Sequence, residues 1–332
     1  MSINKGILVY CENANGKLAP ITTELLGAGN RLASELGQEL SAALIGSDII
    51  ELSQEAIAYG ASKVYIVDNR SFKDYSTEIY LVGMEKVVQQ ALPAIILFGQ
   101  TYSGRDLAPW LAFRLNTGAT MDCTALEIDP ATKRLLMTRP VYGGNAQAVQ
   151  ICKTDPQIAA VRLKAMSPST KDITRRGQII NVVVKIDPAS LKTKVVERKI
   201  DSTTGTKLED ARVVIAGGRG ISNASGFQQL EEIARLLHGA VGATRPACDA
   251  KWVADSQQIG LTGKIVSPDL YIAVALSGAS QHLSGFSSSK VIVAINKDPE
   301  ANIFKVAHYG IVADCKTALP VIAAKLKEVI RS

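Results

Sequence analysis

Short apolar runs, each followed by a stretch with helical periodicity, recur along this 332-residue chain and leave few folds open to it. Ile7–Cys11, Ala42–Ile45, Val64–Val67 and Ile95–Phe98 are too short for buried helices and do not alternate with polar residues. They read as strands covered on both faces, the mark of a parallel sheet. Between them, Ile21, Leu25, Ala28, Leu32 and Leu36 recur at three- and four-residue spacing after Pro20, which suits a first helical turn. A helix over Ile49–Tyr59 ends at Gly60, and one over Thr77–Ala91 ends before Pro93. Strand and helix in alternation predict an α/β fold with a doubly wound parallel sheet.

From Cys123 the pattern changes. Leu126–Ile128, Arg134–Val141, Ala148–Cys152 and Pro156–Arg162 are short runs between turn residues, which predicts a strand extension added to that sheet. Ile179–Ile186 reads as its last strand. Lys192–Asp210 is charged and polar and includes Asp201-Ser202-Thr203-Thr204-Gly205-Thr206, a linker composition. The boundary falls between Lys199 and Leu208, giving domains at 1–200 and 208–332. The second domain repeats the alternation. Strands are expected at Arg212–Ala216, Ala240–Ala243, Leu270–Leu276, Val291–Ile295 and Gly310–Ala313. One helix carries Phe227, Leu230, Ile233, Ala234 and Leu237 and ends at His238-Gly239; the other carries Leu319, Ile322, Ala323, Leu326 and Val329.

Composition agrees with two globular domains, at 47% apolar and 20% charged residues. No apolar run approaches the ~20 residues of a membrane helix, and MSINKGILVYCE is not a secretory leader, so a cytoplasmic protein without stable membrane insertion is expected. Cys11, Cys123, Cys152, Cys248 and Cys315 are widely spaced, which argues against zinc, iron–sulfur and disulfide frameworks and for reduced thiols. The net charge is +6. Basic residues cluster only at Lys171–Arg176 and Lys192–Lys199, readable as a solvated surface around the linker or as a docking face for an acidic protein. No aromatic-plus-basic motif points to nucleic acid.

Ligands of open α/β sheets sit beyond the carboxyl ends of strands, so the loops there are the candidates. Gly99-Gln100-Thr101-Tyr102-Ser103-Gly104-Arg105-Asp106 precedes a helix expected at Leu107–Leu115. It reads as a nucleotide loop or as a capped helix start. Gly217-Gly218-Arg219-Gly220 is a phosphate turn or a plain tight turn, and lacks the Gly-x-Gly-x-x-Gly fingerprint. Thr244-Arg245-Pro246 puts a cation at a strand end. Gln258-Ile259-Gly260-Leu261-Thr262-Gly263 is a second glycine-punctuated loop. Ser277-Gly278-Ala279-Ser280-Gln281-His282 is small, then polar, and Asn296 closes the following strand.

SGASQHLSG at Ser277–Gly285 and KVIVAINKDPEA at Lys290–Ala301 closely resemble the signature of electron transfer flavoprotein alpha subunits. Gly104-Arg105-Asp106-Leu107-Ala108-Pro109, Asp122-Cys123-Thr124, Arg139-Pro140 and Gly143-Gly144-Asn145 resemble further landmarks of that family. The resemblance implies a first domain that contacts a beta subunit and a Rossmann-like second domain that binds FAD. It implies that Arg219 meets the cofactor's phosphate or ring region and that Thr244-Arg245 sets a cation near the ring, raising the reduction potential. Thr262 would hydrogen-bond near flavin N5, and His282 would sit at the N1–C2 carbonyl edge. Gln258 and Leu261 would flank the cofactor. Ser277, Gly278, Ala279, Ser280 and Gln281 would contact it closely, and Asn296 and Asp314 would hold its ribose or adenine end. Leu261, Ser280 and His308 stand where the family commonly has glutamine, isoleucine and aspartate; FAD is still expected.

The implied function is an electron carrier, not an enzyme with its own metabolite. It would link flavoprotein dehydrogenases, such as acyl-CoA dehydrogenases, to a downstream acceptor. An alternative is the carrier arm of an NADH-dependent bifurcating complex with a second FAD in the beta subunit. A stand-alone NAD-dependent dehydrogenase is disfavoured, because the fingerprint is missing and no acid–base pair stands out.

Overall fold

The computed structural model describes residues 4–14, 16–144, 146–187, 191–193, 195–197 and 206–331. Two compact units emerge, Met1–Pro140 with Gln147–Ile200, and Val141–Ala146 with Asp201–Ser332. Most of the linker read at Asp201–Thr206, and the Lys199 side of the boundary, lie outside the described residues, as does Asn145.

In the first unit, β1 (Ile7–Cys11) is followed by a two-rung hairpin of β2 (Asn13–Ala14) and β3 (Lys17–Leu18), then α1 (Pro20–Leu36). Next come β4 (Leu40–Gly46), α2 (Leu52–Ala58), β5 (Lys63–Asp68), α3 (Thr77–Ala91), β6 (Ile95–Gly99) and α4 (Tyr102–Arg114). β7 (Ala119–Cys123), β8 (Ala125–Ile128), β9 (Leu135–Val141), β10 (Ala146–Ile151), β11 (Gln157–Val161) and β12 (Gln178–Asn181) complete the first half of the chain. Seven strands form one parallel sheet in the order β12-β5-β4-β1-β6-β11-β7. Apolar clusters cover both its faces, and β1, β6 and β11 are fully buried, which accounts for their unbroken apolar runs. α1 lays Ile21, Leu25, Leu26 and Leu32 against one face and ends on Gly37, whose φ of 61° suits glycine.

The predicted strand extension divides in two. β11 joins the parallel sheet, beside β7, which the sequence reading did not include, whereas β8, β9 and β10 form a sheet of their own, with β8 and β9 antiparallel. Strand 119–123 carries too few apolar residues (ATMDC) for a run to stand out. α4 starts at Tyr102, earlier than periodicity indicates, because Thr101 caps it by accepting from the Gly104 N–H. A Cβ at Gly104 would lie 1.9 Å from the Gly99 carbonyl oxygen, so only glycine allows that entry.

The second unit runs β13 (Val213–Gly217), α5 (Ala224–Leu236), β14 (Ala240–Ala243), α6 (Arg245–Asp249), β15 (Leu270–Val274), α7 (Ser280–Leu283), β16 (Val291–Asn296), β17 (Tyr309–Val312) and α8 (Cys315–Arg331). Its five strands are parallel, in the order β14-β13-β15-β16-β17. Asn223 caps α5 through the Gly226 N–H, and α5 and α8 cover one face with Phe227, Leu230, Ile233, Leu319 and Ala323. Gly217 is required where α5 crosses β13, since a Cβ there would lie 2.5 Å from the Phe227 ring. β13 connects to β14 on one side, and the chain then returns to β15 on the other, so the topological switch point lies between β13 and β15.

Candidate functional site

At that switch point the carboxyl ends of four strands open into a cavity of about 870 Å³, within the ~300–1,000 Å³ range of ligand sites. β13 delivers Arg219 and Gly220, β14 delivers Thr244, Arg245 and Pro246, and β15 delivers Ala275 through Ala279. Gln281 and His282 come from α7, Asn296, Lys297 and Asp298 from the end of β16, and Gln258 through Thr262 from the loop that follows α6 and precedes β15. That loop is tied in by a bridge from Ala243 to Gln258 and by the Leu261 N–H donating to the Gln281 carbonyl.

Twelve of the fourteen residues singled out from the sequence line the cavity: Arg219, Thr244, Arg245, Gln258, Leu261, Thr262, Ser277, Gly278, Ala279, Gln281, His282 and Asn296. Ser280 and Asp314 are outside the lining. The Ser280 hydroxyl turns to Gln281 Oε1 at 3.3 Å. Asp314 starts α8, accepting the Lys316 N–H on its carboxylate and the Thr317 and Ala318 N–H groups on its carbonyl. Lys297 and Asp298 line the cavity and were not singled out; their signal was adjacency to Asn296.

At three places the structure adds what the sequence reading left open, each for a local reason. In the Gly217–Gly220 turn, Gly218 and Gly220 donate their N–H groups to the Val274 and Ala275 carbonyls, so this is a tight turn braced on β15 rather than a cradle of free N–H groups. Around Gly99–Asp106 the start of α4 is filled from within: Thr101 and Ser103 donate their hydroxyls to the Glu12 carboxylate at 2.7 and 2.6 Å. Burial raises the Glu12 pKa, and these two hydroxyl bonds pull it back down. His282 is 7% exposed, and its ring nitrogens are held by protein. Nδ1 lies 2.8 Å from the Ile259 carbonyl oxygen and Nε2 lies 2.9 Å from the Tyr271 hydroxyl. A hydrogen bond from this ring to a flavin edge would require one of those two bonds to be given up.

The remaining polar groups face the cavity with capacity to spare. Thr262 Oγ1 accepts from Gln258 Nε2 at 2.9 Å, which leaves its own proton free to donate. Asn296 donates one amide hydrogen to the Leu276 carbonyl and accepts the Asp298 N–H, which leaves a second amide hydrogen. Arg219, Arg245 and Lys297 set three cations around the opening against the single carboxylate of Asp298. Among the described residues Arg245 has only a loose partner, Asp249 at 3.5 Å, with both side chains about two-thirds exposed.

Residues 7–187 match the electron transfer flavoprotein domain, and residues 207–287 match the electron transfer flavoprotein FAD-binding domain. The chain belongs to the electron transfer flavoprotein alpha subunit family. It is 42% identical to the electron transfer flavoprotein subunit alpha of Thermoanaerobacterium thermosaccharolyticum over 99% of both chains. It is 41% identical to the subunit of the same name from Bacillus subtilis, over 98% of both chains. It is also 36% identical to a subunit of the lactate dehydrogenase (NAD(+),ferredoxin) of Acetobacterium woodii, over 96% of this chain and 76% of that one.

The cavity of this family member suits an anionic dinucleotide. The Thr244 hydroxyl is shielded from solvent yet has no hydrogen-bond partner among the described residues, although it lines the cavity. A buried hydroxyl left unpaired costs about 1–3 kcal/mol, which a polar ligand atom would recover. The excess of cations suits phosphate, and Ile259, Ala275, Leu276 and Ala301 offer apolar surface to a ring.

Proposed function

We propose that this chain is the alpha subunit of a two-subunit electron carrier. It holds FAD in the cavity of its second domain (208–332), while its first domain (1–200) contacts the beta subunit. Electrons pass between a flavoprotein dehydrogenase, such as an acyl-CoA dehydrogenase, and a downstream acceptor. The observation that carries this reading is the cavity itself: a cation-rimmed crevice at the switch point of a parallel sheet, in a segment that matches an FAD-binding domain, with an unpaired threonine hydroxyl in its wall.

When bound, the flavin supplies reversible electron uptake and release. The protein's part is binding, orientation and electrostatics. Arg219, Arg245 and Lys297 would attract the phosphates and offset negative charge gained on reduction. Thr262, Thr244 and Asn296 would donate hydrogen bonds. His282, whose pKa burial lowers to about 4, is neutral at physiological pH and adds no positive charge. Leu261 is 63% exposed, so apolar surface stands at the cavity mouth. No helix among the described residues is long and apolar enough to cross a membrane, and a cytoplasmic location is part of this proposal.

The test is the flavin content of the intact complex, purified with its beta subunit. One FAD per heterodimer that bleaches reversibly supports the carrier. A folded heterodimer without flavin would overturn it. The similarity to a subunit of an NAD- and ferredoxin-linked lactate dehydrogenase favours a second reading, in which the complex bifurcates electrons. Two FAD per heterodimer, one of them reduced by NADH, would support that reading.

A further inference from the structure

Tyr271 lies in the middle of the second sheet, is fully buried and does not line the cavity. Its ring stacks on Phe286, with centroids 3.8 Å apart and planes 4° from parallel. Among the described residues its hydroxyl has one partner, His282 Nε2 at 2.9 Å.

The direction of that bond follows from the other side of the imidazole. The Ile259 carbonyl can only accept, so Nδ1, 2.8 Å away, carries the ring proton. In a neutral ring Nε2 then has a lone pair and accepts from the tyrosine. The bond fixes both tautomer and ring plane, and ties three separate segments together: β15 through Tyr271, α7 through His282, and the 258–263 loop through Ile259. Two backbone bonds run beside it, from Leu261 to the Gln281 carbonyl and from Val266 to the Gly285 carbonyl. The approach is close enough that a Cβ on Gly285 would lie 2.4 Å from the Gly260 nitrogen. Thr262 and Gln258 are carried on the loop so held.

We infer that Tyr271 is a positioning residue for the cofactor cavity: by donating to His282 Nε2 it locks His282 as a neutral Nδ1–H clasp that holds the Gln258–Thr262 loop in place. The inference rests on the proposed flavin site, because the held loop matters only to what the cavity contains. His282 acts through this clasp, and the donor hydrogen bonds offered to the ligand come from the loop, from Thr244 and from Asn296.

The test uses the complex of the full chain with its partner subunit. With uniform 15N labelling, the His282 ring should show a protonated Nδ1 and an unprotonated, hydrogen-bonded Nε2 at neutral pH, whether or not flavin is present. A protonated Nε2, or a doubly protonated ring, would overturn the inference while leaving the flavin site itself untouched. Tyr271→Phe should keep the stack on Phe286 and lose the hydroxyl. The Nε2 resonance should then move toward that of an imidazole nitrogen without a hydrogen bond, and FAD dissociation should rise about tenfold, because a loop no longer held in place is competent to bind only part of the time. A Tyr271→Phe protein with an unmoved Nε2 resonance would contradict the assignment, as would one with unchanged FAD dissociation. If that variant does not fold, the wild-type tautomer still decides.

Discussion

Gln258 donates through its side-chain nitrogen to the Thr262 hydroxyl oxygen at 2.9 Å, across one turn of the loop that closes the cavity. An amide donor on Thr262 Oγ1 leaves the threonine as a donor to whatever fills the cavity. The two residues therefore act as a unit. Thr262→Ala and Gln258→Leu should each raise FAD dissociation about tenfold, the worth of a hydrogen bond in a shielded site. The double variant should lose little more than the worse single one, because coupled neighbours are not additive. FAD titration of the four complexes, followed by fluorescence quenching, checks this; fully additive losses would mean that Gln258 does not orient Thr262.

Arg245 tests the electrostatics. Its guanidinium lines the cavity with only a loose partner. Arg245→Ala should lower the reduction potential of the bound flavin, since a cation favours the more negative reduced state, and Arg245→Lys should lower it less. Spectroelectrochemical titration of the two variants reads the order. An unchanged potential in Arg245→Ala would place the guanidinium away from the redox centre.

In the first unit the informative pair is Asp122 and Arg162. Two bonds join them, Nε to Oδ1 at 2.8 Å and Nη2 to Oδ2 at 2.6 Å, and the arginine side chain is 4% exposed. Asp122 also has a φ of 64°, a conformation that Asp and Asn tolerate better than most residues. Asp122→Ala should destabilise the protein by about 3–5 kcal/mol, the cost of taking one partner from a buried pair. Asp122→Asn should cost less, because the backbone conformation and one hydrogen bond remain. Urea denaturation of the two variants measures both.

Two buried titratable groups give opposite pH slopes in the two units. Burial raises the Glu24 carboxyl to about 7, against the backbone N–H groups of Met166 and Lys164 that favour its charged form. The folded first unit therefore holds a proton that the unfolded chain has released. Glu24's contribution to stability is full below about pH 4.5 and is lost as pH rises through 7. His282, lowered to about 4 by burial, works the other way. Its contribution is full above about pH 6.5 and falls as pH drops toward 4. Hydrogen exchange between pH 5 and 7.5 should show protection falling with pH around α1 and rising with pH around α7. Glu24→Gln should flatten the first trend and leave the second unchanged.

Much of this fold is legible because its signals are local. β1, α3 and β14 occupy the positions that apolar runs and helix periodicity indicate, and Asn223 caps α5 as its residue type suggests. What the sequence hides is partnership. Leu126 and Met137 look like any strand residues; that they face one another in a separate sheet, while Ile158 enters the main one, depends on pairing that no run encodes. The candidate site divides the same way. Its loops follow strand ends and can be read from order alone. The hydrogen bonds of His282 reach Tyr271, 11 positions away, and Ile259, 23 positions away, and no local pattern reveals them. Asp314, which the family resemblance assigns to the cofactor, lies outside the cavity lining and starts α8.

The visible spectrum of the intact complex during stepwise reduction tests the central claim most directly, taken for the wild type and for Thr262→Trp, whose indole would fill the cavity mouth. Oxidised flavin bands that bleach and return in the wild type, and are absent from a folded Thr262→Trp complex, are expected. A folded wild-type complex without flavin, or an unchanged flavin content in Thr262→Trp, would contradict it.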